Sequence, residues 1–129
     1  MPLNRTVIHT DSAPKAIGPY SQAIRAGDFI FAAGQTPIDP ATGNLVEGEI
    51  ETQTRRVLDN IRAVLEAAGS GLDKVVKTTV FMTNLGDFAR MNAVYAEYFP
   101  ASPPARSTVQ VSALPKGAAV EIECVAVAG

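Results

Sequence analysis

Between Glu49 and Ala68 the residues Ile50, Val57, Leu58, Ile61, Val64, Leu65 and Ala68 recur at three- and four-residue steps. That spacing gathers them into one apolar stripe along a helix. Glu47, Glu49 and Glu51 crowd its start, where negative charge suits the helix dipole, and Gly69 is a natural left-handed stop. Elsewhere the period is two. Thr6 to Thr10, Gln22 to Arg25, Asp28 to Gln35, Val75 to Thr83, Ala105 to Ser112 and Val120 to Val127 read as strands, with a turn at Ala26-Gly27 and turn-rich "DPATGN" from Asp39 to Asn44. A second helix follows Asn84, with Asp87 three residues on in a capping-box-like spacing. It carries Phe88, Met91, Tyr95 and Phe99 on one side and ends before Pro100.

The strand faces carry further information. In Asp28 to Gln35, Phe29, Phe31 and Ala33 point one way and Ile30, Ala32 and Gly34 the other, so both faces are expected to be buried. In Ala105 to Ser112, Val109 and Val111 share a face with Ser107, while Arg106, Thr108 and Gln110 share the opposite one. Assigning the valines to the core points Arg106 away from it. The last strand sets Ala118, Val120, Ile122, Cys124 and Ala126 on one face and Glu121 and Glu123 on the other. The order of elements predicts an α+β fold, a single domain over residues 1–129 with a mostly antiparallel sheet of five to six strands and two helices on one face. Two helices cover only one face. The other, also apolar, is expected to meet a second copy of the chain, making a homo-oligomer.

Composition removes several classes. A chain of 129 residues with 47% hydrophobic and 19% charged residues has enough apolar surface for one core. Its formal net charge of −2 and the lack of any basic run leave no electrostatic footprint for nucleic acid or an anionic membrane. The opening segment "MPLNRTVIHTDSAP" lacks the apolar region of a signal peptide, and no window reaches the roughly 20 apolar residues of a membrane helix. One cysteine, Cys124, forms no intrachain disulfide and suits a reducing, cytoplasmic setting; it is expected to be a buried core thiol. His9 is the only histidine, so sites with two or more histidine ligands are excluded, and no cluster suggests any other transition-metal site. There is no phosphate-binding glycine motif. His9 itself reads as a half-exposed strand residue.

Arg106 and a few polar groups remain. If the faces carrying Arg106 and Glu121 coincide, and that face is buried between subunits, the arginine needs a partner, because an unpaired buried charge is costly. Two readings stay open: an Arg106–Glu pair fixing subunit register, or a carboxylate-binding site with Glu121 as proton shuttle, its pKa pulled in opposite directions by burial and by Arg106. In "IGPYSQA", Gly18-Pro19 is a turn, Tyr20 offers a hydroxyl, and Ser21 has no adjoining base.

Four segments, "AIGPYSQA", "AAGQTPIDPATG", "VVKTTVFMTNLGDFARMN" and "PPARSTVQVSALPKGAAVEIE", closely resemble the RidA (YjgF-like) reactive enamine/imine deaminase family, in order, from about Ile17 to Val127. The resemblance implies a chorismate-mutase-like fold, a homotrimer with clefts between subunits, no cofactor, and hydrolysis of 2-imino acids to 2-oxo acids and ammonia. The imines and their enamines, such as 2-aminoacrylate and 2-aminocrotonate, come from pyridoxal-phosphate-dependent dehydratases. By the same resemblance Arg106 would grip the substrate carboxylate, Tyr20 would be the cleft tyrosine and Glu121 would position water. Gly34 would bring backbone close to the substrate, and Asn92 would be a polar neighbour of the cleft. Two positions depart from the pattern: Thr108 stands where many deaminase members have Cys, and Ala33 where some have Ser. Both bear on substrate range. A non-catalytic protein binding a small carboxylate in the same cleft is the alternative. A third reading, a ribonuclease or translation inhibitor, is not supported, because the chain has neither a basic patch nor a histidine pair.

Overall fold

A computed structural model describes residues 4–129, so Met1, Pro2 and Leu3 of the opening segment lie outside the described residues. Six strands form one sheet: β1 (Arg5–Ile8), β2 (Ala23–Ala26), β3 (Phe29–Gln35), β4 (Val75–Met82), β5 (Ala105–Gln110) and β6 (Val120–Val127), in the order β1-β2-β3-β6-β4-β5. All neighbours are antiparallel except β4 and β5. Helices α1 (Ile50–Ala67) and α2 (Phe88–Tyr98) pack on each other, and α1 lies on β3 and β6. The mixed six-stranded α+β sheet with two helices is the expected class.

The core forms where the α1 stripe meets the sheet. Val57, Leu58, Ile61, Val64 and Leu65 are buried against Ile30, Val80, Met82, Val120, Ile122 and Cys124. Cys124 is buried as expected, and loss of hydration raises its thiol pKa to about 12. Helix α1 ends as its sequence predicts. Gly69 takes φ 77°, its N–H donates to Glu66 O at 3.0 Å, and Ser70 N–H donates to Leu65 O at 2.9 Å, together a Schellman stop.

Several expectations change. Strand β1 runs Arg5–Ile8 rather than Thr6–Thr10. His9 is exposed beyond its end and within 3.2 Å of Asp11. Asn84 does not cap the second helix; its Oδ1 accepts from Gly86 N–H and opens a 3₁₀ turn over Leu85–Asp87 that leads into α2. The faces of β5 are reversed. Thr78 and Val80 of β4 are buried beneath the helices, and their register partners are Arg106 and Thr108, so those two point to the helix side. Val109 pairs with Phe81 on the open side and is 42% exposed. Periodicity identifies which residues share a face; on an edge strand it does not identify which face is covered.

The open face carries Phe29, Phe31, Val109 and Val127, all exposed in the single chain, beside Glu121 and Glu123. The expectation that both faces of β3 are buried therefore holds only for the helix side of this chain. Strand β3 also bulges: Ala32 pairs with Cys124 and Gln35 with Ile122, which leaves one extra residue on β3. The bulge breaks the alternation, and Gly34 leaves the face of Ile30 and Ala32.

Candidate functional site

The predicted site residues fall into two groups on opposite sides of the sheet. Tyr20, Ala33, Gly34 and Glu121 line one hollow of ≈ 520 Å³. Arg106 and Asn92 line another of ≈ 400 Å³ at the edge of β5 and α2. Glu121 pairs across β6 and β4 with Phe81 on the open face, whereas Arg106 faces α2. Within one chain Arg106 and Glu121 thus do not share a face, which corrects the shared face considered from sequence.

The first hollow owes its shape to the bulge. Gly34 lies directly against Glu121: a methyl group built on Gly34 would overlap the carboxylate and fall 2.8 Å from Glu121 Cδ. Only a residue without a side chain lets the carboxylate lie across that backbone. Glu121 is half-buried, and no cation lies within salt-bridge distance of it among the described residues. Burial raises its pKa, and the like charge of Glu123 adds to the rise. Arg106, expected to pull in the other direction, plays no part in this shift. Tyr20 stands at the rim, 55% exposed, on a loop shaped by Gly18 at φ 127°.

Two buried amides that the sequence reading passed over hold the walls. Gln22 Nε2 donates to Pro14 O at 2.8 Å and Thr10 O at 3.0 Å, and its Oε1 accepts from Thr10 N–H at 2.7 Å. It ties the loop that leads to Tyr20 onto the sheet. From α1, Asn60 Nδ2 donates to Ile38 O at 2.9 Å and Thr36 O at 3.3 Å, fixing the exit of β3. The signal for both is an amide at a buried position, next to Ala23 in one case and Ile61 in the other.

The second group surrounds a cation. Arg106 Nη1 donates to Asn92 Oδ1 at 2.6 Å, and Arg106 Cζ lies 4.7 Å from the centre of the Tyr95 ring and 5.4 Å from that of Phe88. Such contacts are worth about 0.5–2 kcal/mol each, more as the cation is desolvated. Among the described residues no carboxylate lies within 4.0 Å of Arg106, so the Arg–Glu pair considered from sequence does not form within the chain. Thr108, two residues on and on the same face, has a buried hydroxyl oxygen with no hydrogen-bond partner among the described residues.

No group of three or more His, Cys, Asp or Glu side chains suited to a metal ion occurs among the described residues, and no helix there is long and apolar enough to cross a membrane.

Residues 10–128 match the family described as Endoribonuclease L-PSP, which includes the YjgF and RidA proteins. The chain belongs to this family. It is 60% identical over 122 residues to a RutC family protein of Pyrococcus horikoshii, covering 95% of this chain and 97% of that protein. It is 48% identical over 124 residues to Reactive Intermediate Deaminase A, chloroplastic, of Arabidopsis thaliana, covering 96% of this chain and 66% of that one. Among solved structures, E. coli TdcF with bound serine superposes with a TM-score of 0.92 at 42% identity, covering 96% of this chain and 98% of that one. The fold that carries the two hollows and the exposed apolar face is thus shared with solved structures of other organisms.

Proposed function

We propose that this protein hydrolyses 2-imino acids, in equilibrium with their enamine tautomers, to 2-oxo acids and ammonia. The observation that carries the reading is Arg106. A half-buried guanidinium, held by an amide and two aromatic faces and without a carboxylate partner among the described residues, calls for an anion, and a carboxylate fits its fork with two parallel hydrogen bonds. A relative named Reactive Intermediate Deaminase A and one with serine bound support a small amino-acid-like ligand.

The site is completed between copies, three in the proposed assembly. The apolar open face of one copy covers the next, so that Arg106 of one chain and Glu121 and Tyr20 of another reach the same ligand. Arg106 clamps the carboxylate and Tyr20 orients the imine. Water adds to C2 while the C=N electron pair moves to nitrogen. Glu121 takes a proton from the water, leaving a carbinolamine, and returns it to the nitrogen; as the C–N bond breaks and ammonia leaves, the C2–oxygen double bond forms and the hydroxyl proton passes to Glu121. A protonated imine is already electrophilic, so holding it beside oriented water supplies much of the acceleration. Gly34 brings backbone to the ligand, Asn92 steadies the clamp, and Ala33 and Thr108 shape the space around it.

The family description also names endoribonucleases. Here the formal net charge is −2, and the single imidazole, His9, lies outside both hollows. Neither feature favours a polyanionic substrate.

The test is to generate 2-aminoacrylate in situ with a serine dehydratase and follow the decay of imine absorbance. Acceleration over buffer is expected. No acceleration would leave a protein that binds a 2-oxo acid without turning over its imine.

The pH profile gives a further expectation. A raised pKa means that Glu121 takes up its proton at a higher pH than an ordinary carboxylate. As a base it must be ionised, so kcat/KM should fall on the acid side, at a pH that burial and Glu123 raise and that Arg106 of the neighbouring copy lowers. Glu123→Gln removes the like charge and should move that limb to lower pH. A limb unmoved by Glu123→Gln would contradict the role of Glu121.

A further inference from the structure

We infer that Phe88 and Tyr95 are positioning residues for Arg106, forming with Asn92 a neutral cradle that orients the guanidinium without quenching its charge; this rests on Arg106 being the carboxylate clamp. Phe88, Asn92 and Tyr95 stand at i, i+4 and i+7 along α2, so one helix face presents ring, amide and ring. Thr78 of β4 is the register partner of Arg106, and its Oγ1 lies 2.7 Å from the Tyr95 hydroxyl. The strand that neighbours the arginine thereby fixes the ring beneath it. Phe99 packs against Tyr95 in a tilted arrangement, with ring centres 4.7 Å apart and planes at 38°.

What distinguishes this arrangement from ordinary core packing is its charge. A glutamate at any of the three positions would hold Arg106 as firmly but neutralise it. Burial raises the Tyr95 pKa, against the opposing influence of Thr78 and Arg106, so its hydroxyl stays protonated and the rings, like the amide, carry no charge. The guanidinium keeps its whole charge for an incoming carboxylate. An arginine otherwise loses several rotatable bonds of freedom on binding, and a side chain already seated between two rings loses less. The cradle therefore acts on affinity for the carboxylate and not on the chemical step.

The test measures pyruvate binding by calorimetry and imine turnover in parallel, on wild type, Phe88→Leu, Tyr95→Leu, Tyr95→Phe and Arg106→Ala. Phe88→Leu and Tyr95→Leu should each raise Kd for pyruvate, and KM, about tenfold, near 1.4 kcal/mol, with kcat within about twofold. Tyr95→Phe keeps the ring and should recover affinity to within about threefold of wild type. The Arg106 side-chain proton resonances should show aromatic ring-current shielding in wild type and lose part of it in both leucine variants. Phe88 is only partly buried, so Phe88→Leu carries the test even if Tyr95→Leu does not fold. Leucine variants that bind pyruvate like wild type, while Arg106→Ala does not, would overturn the cradle. Arg106→Ala binding pyruvate like wild type would instead overturn the clamp on which the cradle rests.

Discussion

Replacing Arg106 with alanine should lower kcat/KM for 2-aminoacrylate by about 10²- to 10⁴-fold. Two charge-assisted hydrogen bonds to a carboxylate, at about 1.5–3 kcal/mol each, sum to that range. Folding should survive the change. Arg106 lies on an edge strand, is half-buried, and among the described residues makes one side-chain hydrogen bond, to Asn92. A thermal melt within a few degrees of wild type would separate lost function from lost structure. Arg106→Lys should recover only part of the activity, because an ammonium keeps the charge but not the planar fork. An alanine variant within about threefold of wild type would show that the carboxylate is held elsewhere.

Gly34→Ala should be nearly as damaging, for a different reason. Gly34 is not among the residues at positive φ, so alanine meets no backbone strain. The added methyl would collide with Glu121, and what it meets is the far end of a flexible side chain. The carboxylate can swing aside at little cost to the fold, and the proton shuttle then leaves its place. We expect kcat to fall by about 10²-fold or more, the scale of a lost general acid–base group, with a melting temperature close to wild type. Gly34→Ala and Glu121→Gln should therefore resemble one another, and combining them should add little further loss. A Gly34→Ala variant with wild-type kcat would mean that the position of Glu121 over the bulge has no catalytic consequence.

The same residues show what the sequence could and could not convey. Helix α1 was legible from end to end, because its stripe and its stop at Gly69 are local. The site chemistry was legible as residue types: an arginine, two glutamates and a tyrosine left over after the core was assigned. Their placement was not. Val109 and Val111 resemble a core face, yet on an edge strand the helix side lies at the margin of the core, where an arginine seated on Phe88 and Tyr95 fits. The bulge at Ala33-Gly34 hides because both residues are small and suit either face of an alternating pattern. Phe88 and Tyr95 read as core-facing residues of α2. Their relation to Arg106 depends on β5 pairing in parallel with β4, a long-range contact that no local period encodes.

Opposite faces for Arg106 and Glu121 make the central claim directly testable: the catalytic site is shared between copies. Arg106→Ala and Glu121→Gln chains, each inactive alone, should be refolded together in equal amounts and assayed for 2-aminoacrylate decay. With random assembly about one interface in four pairs an intact Arg106 of one copy with an intact Glu121 of its neighbour. Activity restored to about a quarter of wild type is the predicted result. A mixture no more active than its two parents would contradict a site built across copies.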